Sequence, residues 1–199
     1  DMLTKAEKTT QLIIEKVAPY FNKHGYTGTS MSDICKATGL TKGAIYGNFK
    51  NKEELALKAF NHIMRKEFAP LNEDIANCKT GLQKMRAITN FYRHKYDAIL
   101  NSGGCPVLNV GLDSIHQNHV LYQRVIEVIT KLSKAIEMYL DQAIKEGVFK
   151  PELDTKNYAS QIYSQIQGCI FLAVMTKSKQ PINNMMDSID RMIDKELKI

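Results

Sequence analysis

The sequence predicts an all-α protein with a three-helix N-terminal domain and a larger helical C-terminal domain, about nine helices in all. Three observations lead there. Apolar residues recur at three- and four-residue spacing along nearly the whole chain, and no segment alternates apolar with polar as a half-buried strand would. Short, basic segments give way near residue 66 to long, charge-balanced ones. The 199 residues, 44% hydrophobic and 24% charged, suffice for a sizeable core without a fibrous or disordered composition.

The first helix is expected from about Thr4 to Lys23, with Leu12, Ile13, Val17, Tyr20 and Phe21 on its apolar stripe, ending at His24-Gly25. Two short helices follow, about Met31 to Thr38 and Lys42 to Phe49. Ser30 with Asp33 forms a capping box for the first, and Thr41 is the N-cap of the second. Gly39 between them suits a left-handed C-cap. A fourth helix opens near Asn51, with Glu54 at its third position, and runs to about residue 68. Five longer helices are expected over about Thr80 to Asn101, Val107 to Ile115, His119 to Glu146, Thr155 to Lys177 and Ile182 to Leu197. The breaks carry Gly, Pro and Asn. The functional boundary is placed between residues 1–50 and 51–199, joined by the fourth helix.

Composition narrows the function. No apolar run reaches the 18 or so residues of a membrane span, and the N-terminus lacks the order of a signal peptide, so a cytoplasmic location is expected. Cys35, Cys78, Cys105 and Cys169 form no CxxC pair and are read as reduced thiols. His116 and His119 have only Asp113 nearby in sequence, so no metal site and no cofactor is expected. The net charge of +6 is unevenly spread: residues 1–66 hold 11 Lys and Arg against 6 Asp and Glu. Residues 67–199 hold 16 against 15. A polyanion-binding end is therefore N-terminal.

"GLTKGAIYGNFKNKEEL", residues 39–55, sharpens this. Its short helix carries Gly43 and Gly47, each costing about 1 kcal/mol relative to alanine in a helix interior. With Ile45 and Phe49 facing inward, both glycines fall on the outer ridge, with Lys42 and Tyr46 on one edge and Ala44 and Asn48 on the other. A bare ridge permits close approach to a major groove, and the flanking groups suit phosphates and base edges. A helix–turn–helix used only for packing is the alternative, and the lysines at 42, 50 and 52 weigh against it.

Residues 4–60, above all "TSMSDICKATGLTKGAIYGNFKNKEEL" at 29–55, resemble the DNA-binding domain of the TetR (tetracycline repressor) family of bacterial transcriptional regulators. "GGCPVLN" resembles a loop-to-helix segment of some members, and the rest agrees in length and helix order. The resemblance implies a homodimer on a palindromic double-stranded DNA operator, with repression relieved by a small-molecule effector. It implies Thr29 and Ser30 at a phosphate. Thr41, Lys42, Gly43, Ala44, Tyr46 and Asn48 would face the groove or its walls, and Lys52 a second phosphate. Gly47 departs from a position where many members carry a larger side chain.

Apolar stripes on the eighth and ninth expected helices make them candidates for a four-helix dimer interface. Tyr92, Tyr96, His116, Tyr122, Tyr163, Gln167 and Met175 are candidates for an effector cavity, bringing polar tips into otherwise apolar helices, and Phe60 and Met64 on the fourth helix are candidates to touch it. Cys105, between Gly103-Gly104 and a helix start, is a tenth candidate. It also opens a second reading, a repressor that senses electrophiles or oxidants through its thiol. An enzyme using Cys105 with His116 or His119 lacks a recognisable orienting residue or oxyanion motif. An architectural DNA binder would not need the large, nearly neutral second domain.

Overall fold

The computed structural model describes residues 4–199. Ten α-helices follow in order: α1 (Lys5–His24), α2 (Met31–Thr38), α3 (Lys42–Tyr46), α4 (Lys52–Asn77), α5 (Gly81–Arg93), α6 (Tyr96–Asn101), α7 (Pro106–Ser114), α8 (His119–Lys145), α9 (Thr155–Thr176) and α10 (Gln180–Met192). The last runs on into a π-helical turn, Ile193–Leu197. The helix expected over residues 80–101 is two, because the chain breaks at His94-Lys95 before α6 begins. The fourth helix continues to Asn77, about nine residues beyond expectation, with Pro70 inside it.

The chain packs as two compact units, Asp1–Glu67 with Ser102–Ile126, and Phe68–Asn101 with Glu127–Ile199. This differs from the boundary expected at residue 50. Residues 102–126 belong with the N-terminal helices, and α8 as well as α4 runs across the division.

In the first unit α1 buries Ile13, Ile14, Val17, Ala18 and Phe21. The expected stripe is turned slightly: Leu12 and Tyr20 are exposed, and Ile14 and Ala18, next in sequence to Ile13 and Val17, are buried instead. α2 packs on α1 and α3 on α2, with Ile34, Ile45 and Phe49 buried between them. Gly39 closes α2 in the left-handed conformation, φ 72°, as expected.

Polar groups distant in sequence fasten residues 102–126 to these helices. Buried Asn22 donates from Nδ2 to the carbonyls of Ser102 (2.6 Å) and Gly104 (3.2 Å). Asn109 returns the contact, donating to the carbonyls of Asn22 and Gly103, both at 2.9 Å. Asp113 accepts from the amides of Tyr26 (2.6 Å) and Thr27 (3.3 Å). Gly25, φ 72°, is required there on two counts, since a Cβ would also lie 2.6 Å from the Asp113 carboxyl carbon. Asn118 donates to Glu53 (2.9 Å) and Arg124 to Asn61 (2.7 Å), both on α4.

In the second unit α10 packs against α9 and α5. Its apolar stripe, Ile182, Met186, Ile189 and Met192, is buried inside the chain. Across the α5–α10 seam Asp190 accepts from Arg86 and Arg93, each at 2.5 Å, and from Thr89 at 3.0 Å. Arg86 also reaches Asp194 (2.7 Å) and Arg93 reaches Asp187 (2.8 Å). Burial alone would raise the Asp190 carboxyl, but the hydrogen bonds from Arg93, Arg86 and Thr89 outweigh it and hold it below the ordinary carboxylate value.

A depressed folded-state pKa contributes stability that is present above the ordinary carboxylate range and lost as pH falls through the lowered value. Asp190→Asn is therefore expected to cost about 2 kcal/mol at neutral pH, the lower part of the range for charged hydrogen bonds because the side chain keeps some exposure. Thermal melts of both proteins checked against pH should show the gap closing below about pH 4.

Candidate nucleic-acid interface

Thr41 opens α3 as expected, its side chain accepting from the Ala44 amide at 3.2 Å. The helix is shorter than expected, ending at Tyr46, with Gly47 and Asn48 in the closing turn. Ile45 and Phe49 are buried, so the orientation follows the wheel: Thr41, Lys42, Gly43, Ala44, Tyr46 and Gly47 are exposed. The outer ridge is bare backbone. A Cβ on Gly43 would meet nothing closer than the Thr41 hydroxyl at 4.0 Å, and one on Gly47 only the local carbonyls at 3.4–3.5 Å. The Lys42 ammonium lies 5.8 Å from the centre of the Tyr46 ring, so the cation and the phenol share one edge.

The other expected contacts are placed less uniformly. Ser30 is exposed and caps α2 as predicted, in a reciprocal box with Asp33. Thr29 is buried, and its hydroxyl donates to the Gly25 carbonyl at 2.7 Å, so it holds the turn before α2 and does not face a phosphate. Asn48 is half-buried. Its Nδ2 donates to the Ala44 carbonyl (2.9 Å) and its Oδ1 accepts from Thr10 (2.9 Å), so both amide atoms are engaged within the protein. Lys52 is half-buried with its ammonium 4.3 Å from the centre of the Tyr26 ring. Burial lowers its pKa, opposed by the fields of Asp113 and Asp33.

The effector candidates divide between the two units. In the first, Phe60 and Met64 are buried on α4 and Tyr122 is half-buried. Cys105 is the half-buried N-cap of α7 and makes no side-chain capping bond. In the second, Tyr92 and Tyr163 are buried, and Tyr96 and Gln167 half-buried. Tyr92 packs edge-on against Phe91, with ring centres 5.1 Å apart, and Phe91 stacks on Phe68 at 5.8 Å. Two candidates fail on exposure. His116 lies in the open turn after α7, and Met175 is 65% exposed on α9. An open groove of about 780 Å³ on the second unit, bordered by Asp74, Cys78, Lys79, Gln83, Arg86 and Asn90, contains none of the ten.

Two residues that shape the interface escaped the sequence reading, Thr10 and Asp113. Their contacts join positions 38 and 87 residues apart, and no local pattern signals such a pairing.

A helix–turn–helix with a bare, exposed second helix between a lysine-tyrosine edge and basic flanks defines a DNA-binding protein of the transcriptional-regulator class. Residues 13–59 match the model for bacterial regulatory proteins of the tetR family, and residues 81–189 match the tetracyclin repressor-like C-terminal domain. The chain belongs to the tetR family. A TetR transcriptional regulator from Chloroflexus aurantiacus has the same fold, with a TM-score of 0.92 and 30% identity, covering 99% of this chain and 100% of that one. The fatty acid metabolism regulator protein of Bacillus subtilis (strain 168) is 24% identical over 177 residues, 89% of each chain. Similarity to the probable acrEF/envCD operon repressor of Escherichia coli (strain K12) is confined to 54 residues, 46% identical, covering 26% of this chain and 24% of that one. The protein is accordingly a ligand-responsive DNA-binding transcriptional regulator and not an enzyme; regulators of this family act as dimers. Among the described residues no helix is long and apolar enough to cross a membrane.

Gly47→Leu is expected to weaken binding to specific duplex DNA at least tenfold while leaving the melting temperature unchanged or slightly higher, because the site is open and leucine is the better helix former. Gel-shift titration beside a thermal melt checks both halves. A lowered melting temperature would place Gly47 inside the protein, and normal binding would take it off the groove.

Proposed function

We propose that the chain is a repressor whose exposed α3 edge, Lys42, Gly43, Ala44 and Tyr46, enters the major groove of a palindromic operator, with Thr41, Ser30 and Lys52 toward the flanking backbone. The observation that supports this most is the absence of side chains on the outer ridge of α3, at Gly43 and Gly47. With few groups able to reach base edges, part of the sequence preference comes from DNA shape. Lys52 reaches a phosphate by leaving its place over Tyr26.

The dimer face is α9. Gly168, Phe171, Leu172 and Met175 form an exposed stripe at i, i+3, i+4, i+7, with Phe171 and Leu172 each 51% exposed. The opposite stripe, Ile162, Ile166, Cys169, Ile170 and Ala173, is buried within the chain. A helix apolar on both sides calls for a second covering surface. α10 contributes its polar side, Asn184, Asp187 and Arg191, as a rim, since its apolar stripe is already used.

The effector is a largely apolar small molecule with a few polar groups, read by Tyr92, Tyr163 and Gln167 in the second unit. By its name the B. subtilis relative regulates fatty acid metabolism, which suits a ligand of this kind. A thermal-shift screen of amphiphilic and aromatic compounds tests it: a compound that raises the melting temperature and releases DNA is the expected effector.

Selecting bound duplexes from a random pool with the full chain should return a palindrome whose half-site centres lie about one helical turn, or a multiple of it, apart. Light scattering at micromolar concentration should give a dimer, and Phe171→Glu a monomer that no longer prefers the palindrome. A dimer that survives this substitution would move the interface away from α9.

A further inference from the structure

The structure assigns Asn48 and Thr10 to a latch that sets the roll of the recognition helix, and so the discrimination among DNA sequences, without either residue touching DNA. This rests on α3 being the reader. α3 has five residues, little more than one turn. Its inward anchors, Ile45 within the helix and Phe49 just past its closing turn, are four positions apart and, with the Phe49 amide still donating to the Ile45 carbonyl at 3.1 Å, lie nearly along one line parallel to the axis. Two collinear anchors fix where a helix sits but leave it free to turn about the line joining them. A third contact off that line removes the freedom, and Asn48 supplies it.

The chemistry of the latch is determined by its partners. Asn48 Nδ2 donates to the Ala44 carbonyl at 2.9 Å, closing one of the carbonyls that a helix end leaves open. An amide nitrogen is the only one of the two terminal atoms able to donate to a carbonyl, so Oδ1 must face the other way. There it meets the Thr10 hydroxyl of α1 at 2.9 Å. Thr10 shares its single hydroxyl hydrogen between Asn48 and the Ala6 carbonyl, 3.1 Å away within α1. The contact is partly buried, so water competes poorly for it. α3 packs on α2, and the latch ties it directly to α1, the longest helix of the three. The ridge itself supplies no such tie, because Gly43 and Gly47 face away from the rest of the protein.

A latch of this kind makes a different prediction from a base-reading asparagine. Losing a reader relaxes preference at one base pair, whereas losing a positioning contact blunts every base contact made by α3 together and leaves phosphate-driven binding alone. The full chain is titrated against the duplex selected from the random pool, every single-base-pair variant of its half-site, and a scrambled duplex. Thr10→Val, which keeps shape and removes the hydroxyl, is expected to weaken the selected duplex about fivefold, the weight of one ordinary hydrogen bond. Binding to the scrambled duplex should be unchanged, and the loss should spread over the half-site. Thr10→Ser should restore discrimination. Asn48→Ala should lose about as much as Thr10→Val, and the double variant no more than either.

Unchanged binding by Thr10→Val would overturn the latch. So would a loss at one base pair in Asn48→Ala that Thr10→Val does not share. Lys42→Ala and Tyr46→Ala keep the latch separate from the reader: if both bind the selected duplex normally, α3 is not the reader and the latch falls with it.

Discussion

The mutual hold of two asparagine amides carries the DNA-reading unit. Asn22 at the end of α1 satisfies carbonyls of the 102–104 loop, and Asn109 at the start of α7 satisfies carbonyls of both the loop and Asn22. Backbone groups of an irregular loop are thereby paired while buried, which a loop against apolar helices would not otherwise achieve. With the loop placed, α7 brings Asp113 under the turn at residues 25–27, and that turn sets the start of α2. α3 follows from α2 through Ile34, Ile45 and Phe49. A position more than 80 residues along the chain therefore bears on where α3 begins.

The second unit answers a different constraint. The C-terminal half of α9 is apolar on two sides, and α10 packs against the helix while Phe171, Leu172 and Met175 stay exposed. The polar seam between α5 and α10 fixes how α10 lies: one carboxylate, Asp190, collects two guanidinium groups and a hydroxyl. Both units thus use apolar burial for cohesion and a small set of paired polar groups for register. Charged groups that must be matched tolerate fewer arrangements than interchangeable aliphatic ones.

Much of this was legible in the sequence where the signal is local. The box of Ser30 with Asp33, the glycine at 39 and the N-cap at Thr41 fix both ends of α2 and the start of α3, since each satisfies its own helix end, while the end of α3, which lacks such a signal, falls three residues short of expectation. The exposed ridge of α3 followed from two inward residues and the helix period. Residues that act across the chain were not legible. Thr29 and Asn48 have side chains equally suited to DNA and to partners within the protein, and only the fold shows that the Gly25 and Ala44 carbonyls and the Thr10 hydroxyl have taken them. His116 and Met175 lie in segments whose apolar pattern is the same whether a face meets an interior or a partner. The stripe on α10 suits a dimer surface by sequence for that reason, yet it is spent within the chain.

Native-state hydrogen exchange of the full chain shows whether residues 102–126 hold the DNA-reading unit together. Amides of α1, α2 and the Tyr26-Thr27 turn should open together with those of α7, at one common free energy that rises and falls with denaturant as a single unit. Exchange of α1 and α2 through a separate opening, with α7 already exchanging freely while they remain protected, would contradict it.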